Sequence, residues 1–102
     1  MDQGEALDIA RRYAEALRLK YDYKQVILFG SFAKGNFHEY SDIDIAIVLD
    51  DFNDLIGTQV DLMRIGRKID TRIEPHPYRE RDFIPDNPVV SEILKHGKQL
   101  EA

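Results

Sequence analysis

The chain has 102 residues, no cysteine, a hydrophobic fraction of 43%, a charged fraction of 32% and a formal net charge of −5. The missing cysteines exclude disulfides, zinc–thiolate sites and thiol nucleophiles, so any metal must be held by oxygen or imidazole. The acidic balance argues against general affinity for a nucleic-acid backbone, which needs clustered positive charge, and the length predicts a single domain over residues 1–102.

The opening "MDQGEALDIARR" lacks the basic and apolar segments of a secretory signal, and the strongest apolar run, "IAIVL", is too short to cross a bilayer. A cytoplasmic protein with no membrane association is expected. Residues 4–20 read as an amphipathic helix, with Ala6, Ala10, Tyr13, Ala14 and Leu17 recurring at steps of three and four. Asp2 and Glu5 have the spacing of a capping box at its start. "QVILFG" is a short apolar run closed by glycine, which predicts a buried strand ending in a tight turn. "SFAKGNFHEYS" follows as a loop with room for one helical turn.

"DIDIAIVLD" is the clearest strand, because aliphatic and β-branched residues fill it and charges bracket it. Strand geometry sends Asp42 and Asp44 to one face and Ile43, Ile45 and Ile47 to the other. Residues 55–67 predict a helix through Ile56, Val60 and Met63, weakened by Gly57 and Gly66. A third strand is expected in "KIDTRIEPH", ended by Pro75 and Pro77, neither of which can donate to a sheet ladder. "DNPVVSEILKHGK" then has the punctuation of a short helix, with Asp86 or Asn87 as cap, Pro88 in the first turn and Gly97 at the end. The expected order is helix, strand, loop, strand, helix, strand, helix.

Two features carry chemistry. Gly30, Ser31 and Gly35 form a glycine-serine turn whose backbone amides and hydroxyl suit phosphate oxygens, although it lacks the Gly-Lys-Ser/Thr of a Walker loop. Ten residues separate Ser31 from Asp42; Asp42 and Asp44 point the same way from one strand, and a hard divalent cation relieves their repulsion while binding triphosphate oxygens. Either feature alone is commonplace. Their joint spacing is not.

"GSFAKG" together with "SDIDIAIV", through Gly30, Ser31, Ala33, Gly35, Ser41, Asp42 and Asp44, resembles the polymerase-beta-like nucleotidyltransferases, and among them the minimal nucleotidyltransferases of prokaryotes. The resemblance covers roughly residues 4–76. It implies an α/β (α+β) fold, a small mixed sheet flanked by helices. It also implies that Gly30, Ser31, Gly35 and Ser41 hold ATP, while Asp42 and Asp44 hold Mg2+ with a third carboxylate from a later strand. Asp70 and Glu74 both qualify by parity and lie roughly 13 Å apart along a strand, so only one can serve. Glu74, with the adjoining turn, is favoured; the competing reading is a surface carboxylate paired with Arg72 or Arg79.

The family further implies AMP transfer from ATP to a hydroxyl, here a tyrosine of a HEPN-domain toxin partner, with nucleic acid disfavoured as acceptor. The alternative is a non-catalytic antitoxin of the same fold that neutralises its partner by binding. His76 reads as a turn-capping residue between prolines, Lys34 as solvated, and Tyr21, Tyr23, Tyr40 and Tyr78 as packing or surface residues.

Overall fold

The computed structural model describes residues 1–100. The first helix, α1 (Gln3–Arg18), begins at Asp2, whose carboxylate accepts the Glu5 N–H at 2.8 Å. Its predicted stripe, Ala6, Ala10, Tyr13, Ala14 and Leu17, is fully buried. Next come β1 (Gln25–Phe29), the single turn α2 (Ser31–Lys34) and β2 (Ile43–Leu49). They are followed by α3 (Leu55–Arg67), β3 (Ile73–Arg79), a 3-10 turn at Glu80–Asp82, α4 (Pro88–His96) and β4 (Lys98–Leu100).

The strands form one mixed sheet in the order β3-β2-β1-β4. β1 runs antiparallel to both β2 and β4, while β2 and β3 are parallel. The period of two divides the sheet between two cores. Val26 and Leu28 of β1 and Ile43, Ile45 and Ile47 of β2 face α1 and α3. Ile27, Ala46 and Val48 face the opposite way, where Val90 and Ile93 of α4 and Phe83 cover them. Each fully buried isoleucine contributes about 1.5–3 kcal/mol relative to exposure, so β2 is anchored from both sides.

Three expectations are corrected. The third strand starts at Ile73, not Lys68, and runs through both prolines to Arg79. Proline is tolerated there because β3 lies at the sheet edge with β2 as its single neighbour. The Pro75 carbonyl points away from β2 and accepts Gln59 Nε2 at 2.7 Å. In α3, Ile56 and Val60 are exposed while Leu62 and Gly66 are buried. That helix is set down by Leu62 in the core and by Gly66, where an added Cβ would fall 3.1 Å from Ile73 Cγ2, not by the Ile56–Val60 stripe. Finally, β4 was not expected; it holds one buried residue, Leu100, opposite Val26.

The α1–α3 contact carries a polar clasp. Tyr13 donates its hydroxyl to the Leu62 carbonyl at 2.8 Å. The Asp61 carboxylate accepts from the Tyr21 hydroxyl and from Lys20 Nζ, the latter at 2.9 Å. The Tyr21 hydrogen bond, then that of Lys20, holds the Asp61 carboxyl below its ordinary range. Burial, then Asp61 itself, pushes the Tyr21 phenol up to about 12.

The signs define a window. Asp61 stabilises the fold fully above its unfolded value of about 4 and loses that contribution as pH falls through its depressed folded value. Tyr21 contributes below about 10 and loses its share as pH rises through about 12. We expect Asp61→Asn to destabilise the protein at neutral pH, and urea unfolding curves of variant and wild type to converge as the pH is lowered toward about 2. A gap that stays constant down to that pH would show that the carboxylate's charge contributes nothing.

Candidate active site

The site is built where β1 ends and β2 begins. Phe29, the last residue of β1, lies opposite Asp44, and on the other flank of β2 Asp44 is in register with Glu74. Asp44, Glu74 and His76 share the α4 face of the sheet by strand parity. Asp42 stands one residue before β2 and is exposed, with the same parity as Asp44.

The glycine turn fits against this pair. Gly30 has φ 73° and ψ −152°, a conformation essentially confined to glycine. A Cβ there would fall 2.5 Å from Asp44 Oδ2, so the absent side chain leaves the space into which that oxygen points. Ser31 opens α2, directly after Gly30 as its N-cap. Gly35 closes α2 in the left-handed region, φ 86°, with open space around it. Gln3 Nε2 donates to the Phe32 carbonyl at 2.7 Å, which ties the turn to α1.

Ser41 is 7% exposed, and its hydroxyl accepts the His38 N–H at 2.9 Å. Ser41 thus closes the loop that delivers Asp42.

The two candidate third carboxylates part company. Asp70 lies in the turn before β3, not on a strand, and makes a paired contact with Arg72 through Nε at 2.9 Å and Nη2 at 2.7 Å. Its pKa is lowered, chiefly by those Arg72 hydrogen bonds. Arg79 is also engaged: Nε lies 3.0 Å from Asp51 Oδ1, Nη2 lies 3.0 Å from the Phe52 carbonyl, and the guanidinium covers the Phe52 ring. Both cations that the competing reading assigned to Glu74 therefore have other partners. Among the described residues, neither Glu74 nor Asp42 forms an ion pair.

His76 is the residue that sequence reasoning missed. It lies inside β3, not in a turn, with Nε2 3.1 Å from Asp44 Oδ1 and its ring edge-on to Phe29 at 5.0 Å. Its signal was parity with Glu74, obscured by assigning the flanking prolines to a turn. The Asp44 carboxylate is thus held at one oxygen by His76 while the other faces Gly30.

Among the described residues, no three His, Asp or Glu side chains converge at metal-ligating spacing. The donor set is nevertheless suited to a hard divalent cation: carboxylates from adjacent strand positions, with the gap beside Asp44 kept clear by Gly30. Asp44 and Glu74 stand in register on adjacent strands, and Asp42 shares the parity of Asp44.

Comparison with known proteins agrees with the geometry. Residues 10–100 match the nucleotidyltransferase domain family. A Methanocaldococcus jannaschii protein named "Putative protein adenylyltransferase MJ0128" is 36% identical over 76 residues, 62% of this chain and 78% of that one. A toxin–antitoxin crystal structure with AMP-PNP superposes with a TM-score of 0.68 at 26% identity, covering 87% of this chain and 69% of the other. The complex of a tri-AMPylated Shewanella oneidensis HEPN toxin with an MNT antitoxin matches in fold, with a TM-score of 0.65 at 22% identity, covering 98% and 72%.

The chain belongs to the nucleotidyltransferase domain family. It is a nucleotidyltransferase, with an α+β fold built on a four-stranded mixed sheet. Among its described residues, no helix is long and apolar enough to cross a membrane.

Gly30→Ala should destabilise the protein by about 1–3 kcal/mol through backbone strain and, in addition, displace the Asp44 carboxylate. In an Asp44→Ala background the same substitution should cost less, because the 2.5 Å encounter is gone while φ is unchanged. Thermal melts of the four proteins in chelator measure this, and full additivity would show that Gly30 and Asp44 do not touch.

Proposed function

We propose that this chain, acting in the cytoplasm as one domain over residues 1–102, transfers AMP from magnesium-bound ATP to a tyrosine hydroxyl of a HEPN-domain partner protein. The observation that carries the reading is the placement of Asp44, in register with Glu74 and with one oxygen against the side-chain-free Gly30. The similarity to a protein named as an adenylyltransferase and to toxin–antitoxin structures supports the choice of nucleotide and acceptor.

On this reading Asp42, Asp44 and Glu74 hold magnesium, which when bound neutralises phosphate charge and lowers the acceptor's pKa. The chain's own groups do the positioning. The Gly30 backbone amide and the Ser31 hydroxyl orient the triphosphate, while Gly35, whose own amide donates to the Ser31 carbonyl at 2.9 Å, closes the turn that presents them. Ser41, accepting the His38 N–H, holds the loop that presents Asp42. His76 fixes the direction of the Asp44 carboxylate, as hydrogen-bonded neighbours commonly do for metal-binding carboxylates. The acceptor oxygen bonds to the α-phosphorus, the bond to pyrophosphate breaks, and the hydroxyl proton passes to solvent water. With a net charge of −5 the chain has little general attraction for a polynucleotide acceptor.

The test offers labelled ATP and magnesium with the HEPN-domain product of the neighbouring reading frame, with tRNA and with single-stranded DNA, separately. Label is expected on a tyrosine of the protein. Label on tRNA and never on protein would overturn the acceptor; a tight complex without transfer would favour the binding-only antitoxin.

Within an active pair, Asp42→Asn, Asp44→Asn and Glu74→Gln should each lower turnover by roughly two orders of magnitude or more. Asp70→Asn should be close to neutral in turnover. Glu74→Gln should spare ATP affinity more than turnover, because the triphosphate keeps the glycine turn and the other two carboxylates. Equal losses from Asp70→Asn and Glu74→Gln would remove the distinction between them.

A further inference from the structure

The single-turn helix α2 carries Ser31 and follows Gly30, yet it has little of its own to hold it in place. Its ladder consists of two bonds, the Lys34 N–H to the Gly30 carbonyl at 3.1 Å and the Gly35 N–H to the Ser31 carbonyl at 2.9 Å. Glycines with positive φ flank it, Gly30 at 73° and Gly35 at 86°. One helical turn does not hold itself in water, because nucleation costs more than so few bonds return. Contacts from outside α2 must fix its position.

Two contacts do so. Phe32, 1% exposed, belongs to the core shared with α1 and stacks on Phe37 at 4.7 Å, which sets the depth of the turn. Gln3 sets its direction: Nε2 donates to the Phe32 carbonyl at 2.7 Å and, less closely, to the Ala33 carbonyl at 3.4 Å. These are the next two acceptors of the α2 ladder, of the kind that a helix end leaves without intrahelical partners. We infer that Gln3 is a positioning residue for the triphosphate, acting through α2 and not by touching the ligand. The inference rests on the nucleotide-transfer reading above and adds to it a residue of α1 outside both loop motifs.

Gln3 is well placed for this part. It is the first residue of α1, but the N-cap role falls to Asp2, which accepts the Glu5 N–H at 2.8 Å, so the Gln3 amide is free to reach a carbonyl 29 residues away. Met1 packs against the core just before it, and Ala6 and Ala10 are fully buried behind it, so the donor stands on a fixed base. A side chain without a donor would leave both carbonyls unpaired and let α2 turn about its flanking glycines. Gly30 and Ser31 move with α2, whereas Asp44 and Glu74 are held by the pairing of β2 with β3. Loosening α2 therefore weakens the hold on phosphate and spares the hold on metal.

Calorimetry on the full chain, with manganese alone and then with inorganic tripolyphosphate in saturating manganese, tests the inference. Gln3→Met keeps the side-chain length and adds no charge while removing the donor. It should weaken tripolyphosphate by about three- to tenfold, the scale of ordering a loosened segment on binding, and leave manganese affinity unchanged. Hydrogen exchange should rise over residues 31–35 and stay as in the wild type over α4. Should Gln3→Met not fold by melting curve, Gln3→Ala takes its place with the same expectations; failure of both to fold makes Gln3 purely structural and overturns the role. Unchanged tripolyphosphate affinity in the folded variant, equal losses for manganese and tripolyphosphate, or exchange raised along the whole chain overturns it too, and leaves the nucleotide-transfer reading standing. A wild type that binds neither probe removes that reading and the positioning role with it.

Discussion

The alternation of β2 governs the molecule. Ile43, Ile45 and Ile47 enter the core under α1 and α3, while Asp44, Ala46 and Val48 emerge on the opposite face, with Ala46 and Val48 sealed under α4. A one-residue slip of the strand would drive Asp44 into the core under α1 and α3 and force isoleucines into the space that Ala46 and Val48 fill under α4, at a cost of several kcal/mol. The register that makes the core therefore also aims the carboxylate. Because β3 is paired in parallel, the same register puts Glu74 beside Asp44, and because β1 is antiparallel, it brings Phe29 and hence the Gly30 turn to the other flank.

Such a placement carries local cost. In-register side chains on neighbouring strands stand about 5 Å apart, and two carboxylates there repel. Gly30 adopts a backbone conformation available to glycine and to few other residues. The fold offsets this with two apolar layers on β2, the Tyr21–Asp61–Lys20 clasp between the segment after α1 and α3, and the Arg79 contacts that fasten the end of β3 to the loop after β2. Concentrated negative charge next to an open glycine corner is a pattern that a bound cation would balance.

Much of this was legible because it is periodic or punctuated. The α1 stripe matches the buried face residue for residue, Asn87 caps α4 ahead of Pro88, and the β2 pattern predicted the side on which Asp44 emerges. What escaped notice depends on tertiary context. Pro75 and Pro77 read as strand terminators until β3 is known to be an edge whose outward carbonyl is taken by Gln59. Asp70 shares parity with Glu74 along the chain, but a turn at residues 71 and 72 breaks that parity in space. The stripe Ile56–Val60 is genuine, yet α3 docks through Leu62 and Gly66, where a Cβ at Gly66 would fall 3.1 Å from Ile73 Cγ2. A three-residue strand with one buried side chain, as in β4, has no period to detect.

The central claim is that Asp42, Asp44 and Glu74 form one metal-nucleotide site beside Gly30. Anomalous X-ray scattering from manganese, in crystals grown with a non-hydrolysable ATP analogue, addresses it most directly. The account predicts an anomalous peak within coordinating distance of the Asp42 and Asp44 carboxylates, with Glu74 facing it and the triphosphate running along the Gly30–Ser31 turn. A peak confined to another acidic position such as Asp51 or Asp70, with analogue bound away from Gly30, would contradict it.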